Sequence, residues 1–317
     1  STSRAAAGHP GGSLSSLDLL LVTYGIMSHK PTEPLWQERD RVVMSIGHIS
    51  PGVYSVLSEY GYFTEEDFLT GFRRSGSGFP GHVEKIVPGV EWDTGNLGQG
   101  LSTGVGMAMA LKLKGSNRKV IVYMGDGDLQ KGQAAEAMRF AHKYKLNNLM
   151  VIVDRNHLQI CGSTEDIMPS NIRGLFASCG WNIDILDDGH DYAKVFKKLA
   201  AVYNGNTANP EHPTVIIANT IMGKGIPFME NLAKYHGSPL KVEQLVEAFA
   251  ELGVENDFDK WAELRTKPVS TATRIANKVS FPKISDGAAV VYAADKKTDC
   301  RSAYGTALYE LAKANNI

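Results

Sequence analysis

The sequence predicts an α/β protein with a doubly wound parallel sheet and helices on both faces. Short apolar runs rich in β-branched residues alternate with longer helical segments, and glycine or acidic residues follow several of the runs directly. The runs are RVVMSIGH (41–48), KVIVYMGDGD (119–128), NLMVIVDRN (148–156), WNIDILDDG (181–189) and PTVIIANT (213–220). In such sheets ligands bind beyond the carboxyl ends of the strands, so the residues after these runs are the first candidates for a site.

The helical segments are predicted from apolar periodicity and from their caps. Asp18 to Met27 is apolar on nearly every face, which indicates a buried helix, and residues 64–72 open with a threonine cap and acids in the first turn. The remaining predicted helices are 52–63, 101–115, 132–146, 242–253 and 301–317. The segment 242–253 is expected to be the last helix of the α/β unit.

The domain organisation is predicted from the break in this pattern. Residues 1–265 read as one ligand-binding domain, and residues 266–297, rich in Pro, Ser and Asp, read as a linker. The helix within 298–317 is then expected to open a further domain. The chain begins at Ser1 without Met, so we expect that a preceding piece has been lost.

The composition excludes several classes of function. A net charge of −1, with no block of like charges, gives no electrostatic case for nucleic acid or an anionic membrane. No apolar run reaches the roughly 18 residues of a membrane span. The three cysteines, Cys161, Cys179 and Cys300, are far apart, which predicts small buried thiols and a reducing, cytoplasmic location rather than a disulfide or zinc site.

The segment GDGDLQKG at 125–132 predicts a metal site. Asp126 follows a strand and lies between glycines, so a ligand can approach the main chain, and Asn156 follows the next strand 30 residues later. Carboxylate and amide oxygens suit Mg²⁺, and a backbone carbonyl near Leu158 could add a third protein ligand. The remaining coordination positions would take a diphosphate. GDG alone also occurs in ordinary turns, and its pairing with Asn156 makes the prediction specific.

Eight short motifs follow one another along the chain. They are GHPGGSLS (8–15), DRVVMSIGH (40–48), GHVE (81–84), GNLGQGLS (95–102), GDGDLQKG (125–132), DRN (154–156), MGKG (222–225) and YHGSPL (235–240). Their order and spacing resemble transketolase, a thiamine diphosphate enzyme. The resemblance runs nearly end to end and corresponds to that family's N-terminal diphosphate-binding domain, or to the N-terminal subunit of a split transketolase.

The resemblance implies a set of roles for individual residues. Metal ligation of Mg²⁺ or Ca²⁺ falls to Asp126, Asn156 and the Leu158 carbonyl, and cofactor contacts fall to Gly95, Leu97, Gly125, Gly127, Asn156, His48 and His236. His9, His48, His82 and His236 match the family's active-site histidines, with His9, His82 and His236 also expected to hold the sugar. Imidazole suits proton transfer near neutral pH. Arg301 matches an arginine that binds the sugar phosphate, the alternative being a solvated helix arginine.

Two positions depart from the family pattern. Glu136 matches a glutamate of the dimer interface, but Lys131 stands where the family usually has an acid. A lysine there would favour ionised carboxylates, so we expect Lys131 to pair with Glu136 or with an acid of a partner chain, or else to point to solvent. Val83 stands where a proline usually follows the histidine, which is expected to alter how His82 is presented.

The implied activity is reversible transfer of a two-carbon ketol unit from a ketose phosphate to an aldose phosphate, with thiamine diphosphate and Mg²⁺. The glutamate that activates the cofactor in this family belongs to the partner's pyrimidine-binding domain. We therefore expect this chain to need a homo- or hetero-oligomeric partner, whether it is a split subunit or a fragment.

Three alternatives stay open. One is another thiamine diphosphate enzyme, either 1-deoxyxylulose-5-phosphate synthase or dihydroxyacetone synthase. A second is a catalytically silent homologue. The third is a nicotinamide-dependent dehydrogenase, supported only by GVG at 104–106, which lacks the third glycine of that fingerprint.

Overall fold

The computed structural model describes residues 1–269 and 283–315 of the 317-residue chain. The described residues divide into a large compact unit, 1–269, and a small unit, 283–315. Part of the predicted linker, residues 270–282, and the last two positions of the predicted final helix lie outside the described residues. The predicted domain boundaries therefore stay predictions.

The large unit is built on a five-stranded parallel sheet, as the sequence predicts. Its strands, in chain order, are β1 (Arg41–Met44), β2 (Val120–Gly125), β3 (Leu149–Arg155), β4 (Asn182–Leu186) and β5 (Thr214–Asn219). Across the sheet the order is β1-β2-β3-β5-β4, and every pairing is parallel. All carboxyl ends therefore lie along one edge, and β3 is the middle strand.

Helices pack on both faces of this sheet. The described helices of the large unit are Thr2–Ala5, Pro10–Ile26, Ser50–Glu59, Glu65–Gly71, Gly100–Leu113, Gly132–Lys143, Thr164–Ile167, Ile172–Ser178, Tyr192–Tyr203, Val242–Leu252 and Phe258–Leu264. Successive strand residues point to opposite faces. Ile121 and Tyr123 thus enter a core with Leu19 and Leu57, while Val122 enters a second core on the other face.

The structure corrects two element predictions and confirms a third. The first long helix begins at Pro10 rather than Asp18, because proline at the first helical position has its φ preset and needs no N–H partner there. The run 41–48 is a short strand, Arg41–Met44, that leads into a glycine turn, the 3₁₀ turn Gly47–Ile49, as expected. The segment 242–253 is not the last helix of the unit, because Phe258–Leu264 follows it.

Gly47 is required where the chain turns. A Cβ at this position would lie 1.8 Å from Thr94 Oγ1, so only glycine fits the close approach of the two loops. The predicted cap at Thr64 is confirmed: its hydroxyl accepts a bond from the Asp67 N–H, and the Asp67 carboxylate accepts one from the Thr64 N–H.

The small unit contains the helix Cys300–Asn315. Asp299 caps it by accepting the Ser302 N–H at 2.9 Å. Tyr304, Leu308 and Tyr309 are all more than half exposed on it. None of the helices in residues 1–269 and 283–315 has the length and apolarity needed to cross a bilayer.

The cysteines are free, as predicted, but their burial is not. Cys179 is buried, whereas Cys161 and Cys300 are exposed, so the expectation of three buried thiols is wrong for two of them. Cys179 packs into the second core, whereas Cys161 lies in the turn between Gln159 and Gly162 and Cys300 begins the helix Cys300–Asn315.

Candidate functional site

Asp126 and Asn156 lie side by side at the carboxyl edge of the sheet. Gly125, at the end of β2, is paired with Asp154 of β3, which brings the two following loops together. Asp126 Oδ2 accepts the His157 N–H at 2.7 Å, and Oδ1 accepts the Gly127 N–H at 2.8 Å. Asp126 is thus hydrogen-bonded to the main chain of the residue after Asn156, which places the two predicted ligands on adjoining loops.

The Asn156 side chain is held in one orientation. Its amide nitrogen donates to Ser15 Oγ and to Asp154 Oδ2, each at 3.3 Å, and its Oδ1 accepts the Leu158 N–H at 3.1 Å. The side chain is 8 % exposed. The amide oxygen therefore faces the loop that carries Leu158, and the amide nitrogen faces the protein interior.

The loop after Asn156 is shaped to present main-chain groups. His157 has φ +63°, in the left-handed region, and Leu158–Gln159 forms a two-residue antiparallel ribbon with Gly162–Ser163. The chain thus turns sharply beside Asp126. The predicted third ligand, the Leu158 carbonyl, belongs to this turn.

Asp126 is a buried carboxylate without a cation. It is 5 % exposed, and burial raises its pKa to about 7, with the charge of Asp154 adding to the rise and the two N–H donors opposing it. Each carboxylate oxygen keeps a second lone pair beyond the N–H bond it accepts. A divalent cation would restore the ionised form, so this acid fits the predicted metal.

The donor chemistry also fits the predicted ion. Carboxylate, amide and carbonyl oxygens are hard ligands, which Mg²⁺ takes together with phosphate oxygens and water. No group of three or more His, Cys, Asp or Glu side chains is arranged for a metal in residues 1–269 and 283–315. An Asp–Asn–carbonyl set does not depend on such a group.

The predicted cofactor glycines differ in the space around them. A Cβ at Gly95 would meet nothing within 4 Å, and one at Gly127 would meet only Gln159, with its Oε1 at 3.1 Å. Gly125 is similarly close to its neighbours, because Ile46 would lie 3.2 Å away. Open space over Gly95 is what a ligand approaching the main chain needs, whereas Gly125 and Gly127 lie where a side chain would crowd Ile46 or Gln159.

Asp128 anchors the loop that carries Gly95 and Leu97. Its carboxylate accepts the Gly98 N–H, and the side chain is 2 % exposed. Burial raises the pKa of Asp128 to about 6. The sequence did not single out this residue, which joins the loop before the helix Gly100–Leu113 to the turn after β2.

The four predicted histidines form one cluster. Ring centroids of His9 and His48 are 5.0 Å apart, and those of His48 and His236 are 5.2 Å apart. His9 lies 5.9 Å from His82 and 5.8 Å from His236. These residues come from four separate segments, so the fold gathers what the motifs only suggested.

The rings in this cluster are neutral at neutral pH. Burial, reinforced by the neighbouring imidazoles, lowers the pKa of His9 to about 4 and that of His48 to about 3. Burial also lowers the pKa values of His82 and His236. Neutral imidazole offers one donor and one acceptor, which suits hydroxyl groups and proton transfer.

Two ring nitrogens in the cluster have no partner within the described part of the chain. His9 Nδ1 and His236 Nδ1 are both buried and unbonded. Buried polar groups are nearly always hydrogen-bonded in native proteins. Unbonded nitrogens on neighbouring rings therefore mark a place where a polar ligand fits.

Local structure fixes each histidine. His9 caps the helix Pro10–Ile26, and the Ser13 hydroxyl donates to its carbonyl at 2.8 Å. His48 lies in the 3₁₀ turn after β1, and His236 ends the 3₁₀ turn Ala233–Tyr235.

Val83 ties the loop of His82 to that of His48. Its N–H donates to the Gly47 carbonyl at 3.1 Å, and its carbonyl accepts the Thr94 hydroxyl at 2.7 Å. A proline at position 83 would lack the first of these bonds. The departure from the family pattern thus adds a hydrogen bond between two segments of the cluster.

Arg73 was not singled out by the sequence, yet its guanidinium lies beside the cluster. A Cβ on Gly81 would be 2.2 Å from Arg73 Cζ, and the charge of Arg73 contributes to the lowered pKa values of His9 and His82. Arg73 has φ +54°, rare for a residue with a side chain. FRRSGSG reads as an ordinary basic turn, so no sequence signal distinguished it.

The expected Lys131–Glu136 pair is absent from the described residues. Both side chains are exposed, and the Lys131 stem lies against Gly98, where a Cβ would be only 2.3 Å from Lys131 Cβ. The positive charge of Lys131 lowers the pKa of nearby Asp128, although burial dominates that group. Pairing with an acid of a partner chain stays a prediction, as does the interface role of Glu136.

Arg301 lies in the small unit, at the start of the helix Cys300–Asn315, and is exposed. Within its own unit nothing distinguishes it from a solvated helix arginine. Its predicted phosphate contact stays a prediction.

Fold and site together define a doubly wound α/β protein with a polar site at the carboxyl edge of its sheet. Residues 1–278 match the family model described as "Transketolase, thiamine diphosphate binding domain". The chain belongs to this family, which confirms the resemblance drawn from the motifs.

The relatives include single subunits of transketolases. An apulose-4-phosphate transketolase subunit of Phocaeicola vulgatus is 40% identical over 254 residues, which cover 78% of this chain and 87% of that protein. The 6-deoxy-6-sulfo-D-fructose transketolase subunit SqwG of Clostridium sp. (strain MSTE9) is 36% identical over 251 residues, covering 78% of this chain and 89% of that protein.

Solved transketolases share the fold. The Campylobacter jejuni enzyme is 36% identical with a TM-score of 0.75, and the match covers 80% of this chain and 40% of that one. The Pichia stipitis enzyme in complex with sedoheptulose-7-phosphate is 30% identical with a TM-score of 0.76, covering 84% of this chain and 42% of that one. The chain thus spans about two fifths of the solved transketolases it matches.

Proposed function

We propose that this chain is the diphosphate-binding component of a transketolase. With thiamine diphosphate and Mg²⁺, and with a partner that supplies the pyrimidine-binding domain, it transfers a two-carbon ketol unit from a ketose phosphate to an aldose phosphate. The observation that carries the proposal is the juxtaposition of Asp126 with the Asn156 loop beside four neutral histidines. The cofactor supplies the carbanion chemistry, and the chain supplies position and electrostatics.

Two groups of residues would hold the cofactor's diphosphate end. Asp126, Asn156 and the Leu158 carbonyl would ligate the ion, and the main chain at Gly95, which is open, and at Gly127 would lie against the cofactor. The buried carboxylate of Asp126, with its raised pKa, supports this assignment because a cation is the partner it lacks.

The histidine cluster would hold the sugar and move protons at its hydroxyl groups. His9 and His236 each have a buried, unbonded Nδ1 available to a ligand. Because the rings are neutral, each can donate or accept a hydrogen bond without the cost of a buried charge. His82 and His48 complete the polar wall of the same cluster.

Arg73 adds a cation that suits an anionic substrate. Its guanidinium lies against Gly81, next to His82, and can bind a phosphate through two N–H donors. Two relatives are named as transketolase subunits for apulose-4-phosphate and for 6-deoxy-6-sulfo-D-fructose, both of which are anionic sugars. We infer that anionic sugars are also the substrate class of this chain.

A partner chain is part of the proposal. Two of the relatives are named as subunits, and this chain covers most of their length. We infer hetero- or homo-oligomeric assembly in a reducing, cytoplasmic compartment. The pyrimidine-binding half of a transketolase is the partner that completes the site.

The test has two parts. Calorimetry should show thiamine diphosphate binding that requires Mg²⁺, and turnover of xylulose 5-phosphate with ribose 5-phosphate should appear only when the candidate partner chain is added. Asp187, exposed after β4, offers a matched control through Asp187→Ala. Metal-independent binding, or no binding at all by the complex, would contradict the proposal.

A further inference from the structure

Asp154 lies at the centre of the site edge. It belongs to β3, where it is paired with Gly125 of β2 and Ala218 of β5, and it is 1 % exposed. Carboxylates are rarely buried so completely unless they are paired with a cation. Among residues 1–269, the side chains that bond to it are all neutral.

Four side-chain donors converge on this carboxylate. Oδ2 accepts from Ser15 Oγ and Ser16 Oγ, each at 2.6 Å, and from Asn156 Nδ2 at 3.3 Å. Oδ1 accepts from Thr220 Oγ1. In all four bonds Asp154 accepts, which only a side chain with acceptors at both ends, such as a carboxylate, can do.

We propose that Asp154 is a positioning residue that orients the amide of Asn156 so that its oxygen faces the metal. A carboxylate only accepts hydrogen bonds. It therefore holds the NH₂ side of the Asn156 amide, because a flipped amide would place two oxygens against each other. The proposal rests on the proposed function, in which Asn156 is a metal ligand.

The same carboxylate connects the metal loop to the histidine cluster. Ser15 and Ser16 belong to the helix that His9 caps. Thr220 leads into the loop where the Gly223 N–H donates to the Gly11 carbonyl at 3.0 Å. Asp154 thus joins the Asn156 loop, the helix of His9 and the segment after β5.

The experiment is a double-mutant cycle on metal affinity, measured by calorimetric titration of Mg²⁺ into the chain with saturating thiamine diphosphate. Asp154→Asn can present an NH₂ group to Asn156 and so allows the flipped amide. We expect it to weaken Mg²⁺ binding about 10- to 100-fold, the usual range for residues that orient metal ligands.

Rescue separates positioning from a structural role. In the double variant Asp154→Asn with Asn156→Asp, the carboxylate at 156 has no wrong face, so Mg²⁺ affinity should recover to within a few-fold of wild type. The single variant Asn156→Asp should bind poorly, because it places two carboxylates together. Failure of the double variant to recover would overturn the proposal.

Controls make each outcome decisive. Ser16→Ala removes a donor to the same oxygen without touching Asn156 and should change affinity less than about 3-fold, well below the loss expected from disturbing a ligand. If Asp154→Asn does not fold, the double variant decides alone, because it keeps one acid and one amide at this pair, and its Mg²⁺ affinity should lie within a few-fold of wild type.

Two failures are distinguishable. Wild-type chain that binds no Mg²⁺ with thiamine diphosphate refutes the proposed function. Wild-type binding with unchanged affinity in Asp154→Asn, or with a large loss of affinity in the double variant, refutes only the role of Asp154.

Discussion

The Asn156 loop and the histidine cluster lie at the same edge of the sheet, but their polar groups are satisfied to different degrees. Each oxygen and nitrogen of the Asn156 amide and each oxygen of the Asp154 carboxylate has a hydrogen-bond partner in the chain. In the cluster, by contrast, His9 and His236 keep unbonded buried nitrogens. The loop after β2 is intermediate, because Asp126 accepts two N–H bonds while Asp128 Oδ2 has no partner among the described residues.

The difference follows from charge. Burying a carboxylate costs free energy unless several donors surround it, so Asp126 and Asp154 need hydrogen bonds from the chain. A neutral imidazole costs much less to bury, so the cluster tolerates missing partners. We infer that the loops of Asp126 and Asn156 form a preorganised site for the ion, and that the histidines beside it have free hydrogen-bonding groups for the sugar.

The largest effect is expected on metal binding, from a substitution at Asp126. Asp126→Asn removes the charge that would bind the cation, and we expect Mg²⁺-dependent binding of thiamine diphosphate to weaken more than about 100-fold by calorimetry. Asp187→Ala should leave binding unchanged. Near-normal Mg²⁺ affinity in Asp126→Asn would place the metal elsewhere.

The same variant should change stability without metal. The pKa of Asp126 is raised to about 7, so ionisation destabilises the metal-free chain as pH rises from the unfolded pKa of 3.8 through 7. Asp126→Asn should abolish that loss. Thermal unfolding in chelator at pH 5 and pH 8 measures it, and an unchanged pH dependence would contradict the burial argument.

The second effect is expected on turnover, from a substitution in the histidine cluster. His9→Asn should reduce turnover with the partner chain about 10²- to 10⁴-fold, the range for loss of an acid–base group. Binding of Mg²⁺ and thiamine diphosphate should stay within a few-fold of wild type. His212→Asn, outside the cluster, is the control. If His9→Asn weakened binding of Mg²⁺ and thiamine diphosphate as much as it reduced turnover, the cluster would belong to the cofactor site rather than to the sugar site.

A third and smaller effect is expected from Arg73→Gln. Loss of the guanidinium should raise KM for xylulose 5-phosphate about tenfold or more, as expected for a charged hydrogen bond, and leave KM for xylulose unchanged. Arg74→Gln is the matched control, because the Arg74 guanidinium instead donates to the Lys267 carbonyl at 2.9 Å. Equal effects on both sugars would exclude phosphate recognition.

The fourth prediction concerns acid stability. His48 has its pKa lowered from 6.5 to about 3, so the unfolded chain takes up its proton first as pH falls, and stability is lost between those values. His48→Gln should lower the slope of unfolding free energy against pH by the amount that corresponds to about one bound proton. His212→Gln should not. Identical slopes in wild type and His48→Gln would contradict the burial of a neutral ring.

The smallest effect is expected at Val83. Val83→Pro removes the N–H bond to the Gly47 carbonyl, and we expect a loss of about 1 kcal/mol in unfolding free energy, the usual net value of such a bond. Denaturant unfolding measures it. Unchanged stability would show that the bond does not tie the two histidine loops together.

The positions of Asp126 and Asn156 at the sheet edge could be predicted from the sequence, whereas the residue that supports Asn156 could not. Asp126 and Asn156 stand after β-branched runs, so their place at the sheet edge follows from the fold class. Asp154 was missed because it reads as part of a buried strand, and its role depends on serines 138 and 139 residues away. Such long-range partners leave no local pattern.

The cluster shows the complementary limit. Its histidines were found through motifs, but their mutual distances depend on how four loops meet. Arg73 reaches the cluster through a left-handed backbone conformation that no residue type in FRRSG demands. The exposed Lys131 was equally undetermined, because its surroundings depend on a glycine over thirty positions earlier, Gly98.

The crowding of imidazoles has one further consequence. The neighbouring imidazoles add to burial in lowering the pKa values of His9 and His48. Each charged ring therefore disfavours a second charge beside it. Such a cluster stays neutral at a pH where an isolated, exposed histidine would already carry a charge.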